Sequence, residues 1–195
     1  MLEQLYPWPE QITATGLGEG HEFRNRYRSR YVQIEAGKPL PFPDKTFDVV
    51  WSNAVLEHVG GLEERTAFIG EIARLARSAF ITVPNRWFPI EHHTAIPLLH
   101  WNAPLFRRAL RNSKLQQWTD PRYMDFLSRR SLLLEFPQAR VMYAGFQLGP
   151  FSSNVALVFG SESTRAEAVA LARLATAGSD PTTRLDRAGM SCNGP

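Results

Sequence analysis

Cysteine is almost absent. Cys192 is the only one in 195 residues, so no internal disulfide can form, and a reducing, cytoplasmic setting is expected. No apolar run approaches the roughly 20 residues a membrane-spanning helix needs. The opening MLEQLYPWPEQ has neither the basic flank nor the apolar core of a secretion leader. There is no internal repeat. Charge of one sign is also scarce: 22 Lys and Arg against 19 Asp and Glu leave a net +3, too mild to argue for nucleic acid. What is present is a globular composition, 44% hydrophobic, long enough for one domain with a real core.

The most informative stretch is Pro39 to Gly60, PLPFPDKTFDVVWSNAVLEHVG. Pro39, Pro41, Pro43, Asp44 and Lys45 make a rigid turn that no helix tolerates. Phe47 to Trp51 is a short run of β-branched and aromatic residues, the pattern of a buried strand. Ser52 and Asn53 end it, and either can cap a helix beginning at Ala54. A buried strand that gives way to polar residues and a helix start puts those residues at the carboxyl edge of a sheet, where open α/β sheets bind ligands.

Leu40-Pro41-Phe42, Asp44, Phe47-Asp48, Val50 and then Glu57-His58 fit the pattern LPF-x-D-x-x-FD-x-V followed by an EH pair. In this the chain resembles the class I S-adenosylmethionine-dependent methyltransferases, in the type 11-like branch. The resemblance runs from about Leu2 to about Gly160. It continues through Pro84-Asn85, Trp87, Pro89, Glu91 and His93-Thr94. It implies an α/β fold, a Rossmann-like doubly wound sheet of about six strands with the last pair antiparallel. It also implies S-adenosylmethionine as methyl donor and a small-molecule or lipid-like acceptor.

Two registers compete upstream. Ile12 to Thr15 is a strand, followed by Gly16-Leu17-Gly18-Glu19-Gly20; Tyr31 to Ile34 is another, closing at Glu35-Ala36-Gly37. If Gly16 to Gly20 is a cofactor loop, Glu35 would hold the ribose, but only eleven residues then separate Glu35 from Phe47. If the two strands are instead the family's second and third, the rest fits without a deletion. This second register is preferred. It makes the domain N-terminally truncated, its first strand and glycine loop lying upstream of Met1. Gly16 and Ala36 then stand where the resemblance implies carboxylates, with Glu35 one place off. The implied cofactor contacts are Gly16, Leu17, Glu35, Ala36, Gly37, Asn53 and Ala54.

Further along, Leu62 to Ala76 has helical apolar spacing, with Glu63 and Glu64 in its first turn. Ala79 to Val83 is the next buried strand. Thr94 is placed to cap a helix with Pro97 in its first turn, and Ser128 to cap Arg129 to Phe136. Val141 to Ala144 and Asn154 to Phe159 form the antiparallel pair. The expected organisation is a methyltransferase-like domain over 1–160, a helix over 161–177 with its apolar period from Thr164, and a disordered tail over 178–195.

His58, one turn beyond the strand end, and His93 are the candidate catalytic residues, since a histidine near neutral pKa suits deprotonation of a methyl acceptor. The same positions also have a plain reading, Asn53 as a cap and His58 as a helix end. Asn85, Trp87, Phe88, Glu91 and His100 are the candidate substrate contacts, against packing of an aromatic-rich connection. No metal is expected, because only His93 and His100 look able to converge and their spacing fits no zinc pattern. From Pro84 to Arg130 basic residues exceed acidic ones by five, which beside an apolar helix face suits an amphiphilic substrate or peripheral contact with an anionic membrane, against a solvated basic face. Unpaired sheet edges would favour oligomers. Two other functions stand beside methyl transfer: a non-catalytic remnant acting as a binding module, and a dehydrogenase-like enzyme using Gly16 to Gly20.

Overall fold

The computed structural model describes residues 2–121 and 123–160. The expected helix and tail beyond residue 160 lie outside the described residues. The chain divides into two compact units, with the boundary between Phe42 and Pro43. Among the described residues, β1 and β2 form a two-stranded sheet and the other four strands form a second.

In the first unit, α1 (Leu2–Leu5) leads to β1 (Thr13–Gly16), α2 (His21–Arg26) and β2 (Arg30–Gln33). The two strands are parallel, with Ala14 opposite Tyr31. Tyr31 organises the connection: its hydroxyl donates to the Gly18 carbonyl at 2.7 Å, and its ring packs on Phe23, centroids 5.4 Å apart. A Cβ at Gly16 or Gly20 would run into the Tyr31 side chain.

The second unit is built on β3 (Phe47–Asn53), α3 (Leu62–Leu75), β4 (Ala76–Pro84), α4 (Ala103–Leu110), α5 (Arg129–Glu135), β5 (Arg140–Leu148) and β6 (Phe151–Phe159). Strand order is β3-β4-β6-β5. As expected, β3 and β4 are parallel neighbours, Val50 opposite Ala79, and β5 and β6 form the antiparallel pair. β4 lies inside the sheet, and its burial is nearly continuous, as a strand covered on both faces requires. Ala79, Ile81 and Val83 point to one face, where Ile69 and Ile72 of α3 and Leu132 of α5 join them in the main core. Ser128 caps α5 as expected, and its hydroxyl and that of Ser131 complete a reciprocal capping box.

The proline turn docks on the end of α3. The Lys45 amide donates to Arg74 O, and its ammonium donates to the carbonyls of Ala73 and Ala76, satisfying groups the helix C-terminus leaves open. Two expected helix starts are corrected. No helix begins at Ala54, which sits at φ +53° in a tight turn whose amide donates to Thr82 O. Nor does Thr94 cap a helix: Ala95 and Leu98 turn left-handed, and α4 begins only at Ala103 behind the cap Asn102. No described helix is long and apolar enough to cross a membrane.

Candidate functional site

Because β3 and β4 are parallel, the segments that follow them leave from the same edge of the second unit. After β3, the Ala54 turn leads into a single 3-10 turn, Leu56–His58, pinned by the fully buried Leu56. After β4, Asn85 and Arg86 are tied by their amides to Ser153 O and Leu127 O, and the chain folds back over residues 87–98. Pairing of Ile90 with Pro97 closes that loop.

The loop's centre is Glu91, 4% exposed. Its carboxylate accepts from the His93 amide, the His93 Nδ1, the Thr94 amide and the Thr94 hydroxyl, at 2.6 to 3.0 Å. Burial alone would raise its pKa. The hydrogen bonds from His93 and Thr94 outweigh that and hold it down at about 2.

The two turns bring His58 and His93 together. Their Nε2 atoms lie 3.1 Å apart, with the rings edge to face. His58 Nδ1 donates to the Tyr123 carbonyl at 2.7 Å, and His93 Nδ1 donates to ionised Glu91 at 2.9 Å. Both acceptors lack a proton to give, so both imidazoles carry hydrogen on Nδ1 and turn Nε2 toward each other. Trp118 covers the pair, 4.6 Å from the His93 ring.

Beneath them lies Glu57, 2% exposed, with Oε1 at 3.8 Å from His58 Nε2. Neither of its carboxyl oxygens has a hydrogen-bond partner among the described residues. Burial pushes its pKa up, against the opposing pull of its own backbone amide and the two histidines. A cavity of about 20 Å³, bounded by Glu57, Asn85, Glu91, His93 and His100 among others, lies beside it and has room for one water. In the 3-10 turn the Glu57 carboxyl stays beside the His58 ring.

Other expected site residues are placed differently. Asn85 is turned inward, its amide donating to Ser152 O and its oxygen accepting from the Trp87 amide. Phe88 is buried and Trp87 half exposed. His100 is buried against Phe126, and burial lowers its pKa. The convergence expected of His93 and His100 belongs to His93 and His58. Asn53 Oδ1 accepts from the Thr82 hydroxyl, which leaves its amide hydrogens to point elsewhere.

In the first unit, Gly16 ends β1 against Tyr31, and Leu17 is exposed. Glu35 is exposed and paired with Lys38, and Ala36 is exposed. Gly37 has open space where a side chain would stand. Missed from sequence were Trp118, the Tyr123 carbonyl and the buried Arg65. None carries a local signature, because each reaches its place only through the tertiary fold.

This pairing on the edge of a parallel β3-β4 sheet accompanies a recognisable pattern. Residues 7–79 match the family described as "Methyltransferase domain". The match and the architecture bear out the resemblance to class I S-adenosylmethionine-dependent methyltransferases and the Rossmann-like α/β fold it implies. Among curated proteins, the chain is similar to 2-methyl-6-phytyl-1,4-hydroquinone methyltransferase of Synechocystis sp., 29% identical over 90 residues, covering 46% of this chain and 26% of that one. Among solved structures, it shares its fold with LepI in complex with SAM. The TM-score is 0.50 and the identity 10%, over 83% of this chain and 39% of that chain. A structure described as a pericyclic reaction enzyme matches with the same figures. The chain thus spans about a quarter of the curated relative's length and well under half of these structures.

Proposed function

We propose that the chain takes part in methyl transfer from S-adenosylmethionine to a hydroxylated, lipid-like acceptor, with His58 and His93 as the proton-accepting pair. The observation that carries this reading is the pair of Nε2 atoms held 3.1 Å apart at the carboxyl edge of β3 and β4. The fold alone does not choose a reaction, so the residues must.

The cofactor would supply a methyl group on a sulfonium. Residues of the second unit that fit it are Asn53, whose amide hydrogens remain after Oδ1 is taken by Thr82, and Ala54 in its tight turn. The resemblance implies carboxylates where Gly16 and Ala36 stand, and their absence makes the hold weak.

An acceptor hydroxyl bound at the pair would give its proton to an Nε2 atom, and the cofactor, when bound, would supply the methyl group that the acceptor takes up. Glu91 and the Tyr123 carbonyl hold the imidazoles in the tautomer this requires. An amphiphilic acceptor is supported by exposed Trp87, Ile90 and Leu98 in the connection and exposed Leu105 on α4, followed there by Arg107 and Arg108. The Synechocystis relative, whose name specifies a phytylated hydroquinone, points to the same class.

The test is transfer of labelled methyl from S-adenosylmethionine to 2-methyl-6-phytyl-1,4-hydroquinone and shorter-chain hydroquinones. His58→Ala and His93→Ala are each expected to lower turnover by about 10²–10⁴. Calorimetric titration with S-adenosylmethionine distinguishes this from a non-catalytic role: a folded chain that neither binds the cofactor nor labels an acceptor would refute the proposal.

A further inference from the structure

We infer that Glu57, His58 and His93 form a binding site for one zinc-class divalent metal ion. Their ligand atoms all lie within 4.8 Å of one another. The two Nε2 atoms stand 3.1 Å apart, a spacing that a proton or a bound metal ion between or beside them satisfies. Two imidazole nitrogens about 2.0–2.1 Å from one zinc at a tetrahedral angle stand about 3.3 Å apart, so this pair is already close to the needed spacing.

The third ligand is supplied by an independent observation. The Glu57 carboxyl is 2% exposed, both its oxygens lack partners, and Oε1 faces the His58 Nε2 at 3.8 Å. Drawing the Glu57 carboxylate in toward the two Nε2 atoms completes a two-histidine, one-carboxylate set, whose donor types suit zinc and similar ions. The outer contacts are those of a supported metal site. Glu91 on His93 Nδ1 and the Tyr123 carbonyl on His58 Nδ1 fix both rings with Nε2 inward. Three protein ligands leave a coordination position open, and His58 is 31% exposed, so that position is reachable from solvent.

The site stands on this geometry and needs no assumption about the reaction. Its role in methyl transfer rests on the reading above. An acceptor hydroxyl bound at the open position would lose its proton to water while its oxygen stays on the metal. The ion would thus do the ionising that the free imidazole pair does without it.

The experiment uses the full chain, stripped with chelator and titrated with Zn²⁺ by calorimetry and with Co²⁺ by visible absorption, without S-adenosylmethionine. One ion per chain is expected. His58→Ala and His93→Ala should each weaken binding by more than about a hundredfold, and Glu91→Gln by about ten- to a hundredfold. His21→Ala, on an exposed histidine of the first unit, should leave it unchanged. Circular dichroism confirms that each variant is folded. If the alanine variants unfold, Glu91→Gln and the response of the His58 and His93 ring ¹⁵N resonances to Zn²⁺ carry the test. No bound ion, binding that survives loss of either histidine, or ring resonances unmoved by Zn²⁺ would overturn the inference. An ion that binds without any labelled methyl product would leave the site standing and count against the methyl-transfer reading alone.

Discussion

Arg65 of α3 grips Glu135 of α5 with two parallel hydrogen bonds, Nε to Oε2 at 2.9 Å and Nη2 to Oε1 at 2.8 Å. The same guanidinium reaches Gly60 O and Asp125. The Asp125 amide in turn donates to Glu57 O. One side chain, 4% exposed, therefore ties two helices to the turn that carries Glu57 and His58. Arg65→Met should cost about 1–3 kcal/mol, because it strands the partly buried Glu135 carboxylate rather than removing the pair. Arg65→Lys should recover only part, since an ammonium cannot make the paired fork. Urea unfolding of the three proteins checks both statements. A loss below 1 kcal/mol for Arg65→Met would show that the network is incidental.

Glu91 predicts an acid limb of stability. Its folded pKa of about 2 lies below the ordinary carboxylate value near 4.5. A depressed carboxylate pKa gives stability that is fully present above the unfolded pKa and is lost as pH falls through the folded one. The window is thus from about pH 4.5 down to about pH 2, and the amount is on the order of 3 kcal/mol. Glu91→Gln should be less stable than the parent at pH 7, and the gap should close across that window. Denaturant unfolding at stepped pH is the measurement, and a constant gap would contradict the assignment.

The glycines of the first unit are not equivalent. Gly20 sits at φ +70° with the Tyr31 ring where a Cβ would be, whereas Gly18 has open space on that side. Gly20→Ala combines left-handed strain of about 1–2 kcal/mol with a collision, and should lower the melting temperature clearly. Gly18→Ala should be nearly silent. Equal effects would mean that Tyr31 does not organise this loop.

Strand runs were readable because β4 is apolar nearly throughout and β3 is bounded by a proline turn and polar residues. Their parallel pairing puts the turns that carry His58 and His93 at one edge. The turn after β3 did not follow from sequence: Ala54 adopts φ +53°, a conformation no helix propensity signals, and this converts an expected helix start into a 3-10 turn. The role of Glu91 was hidden for a related reason. A glutamate two residues before a histidine reads as a surface pair or a substrate contact. Only the loop closure by Ile90 and Pro97 buries it and turns its oxygens onto His93 and Thr94. Asn85 failed in the opposite direction, polar at a strand end yet used up by Ser152 and Trp87.

The last prediction separates the two positions where the methyltransferase resemblance implies a carboxylate and this chain has none. Ala36 is exposed just beyond β2, so an aspartate there meets no steric cost. Gly16 is different. A side chain there must displace Tyr31, whose hydroxyl holds the Gly18 carbonyl. Charge-assisted hydrogen bonds contribute about 1.5–3 kcal/mol, and each 1.4 kcal/mol is about a factor of ten in affinity. Ala36→Asp should therefore tighten S-adenosylmethionine binding about ten- to a hundredfold with little change in stability. Gly16→Asp should bring no such gain and should lower stability by loosening the Tyr31 contacts. Calorimetric titration of the three proteins, paired with thermal melts, reads both effects. If Gly16→Asp binds more tightly and Ala36→Asp does not, the ribose is held from β1, and the positions of Glu35 and Ala36 have no part in it.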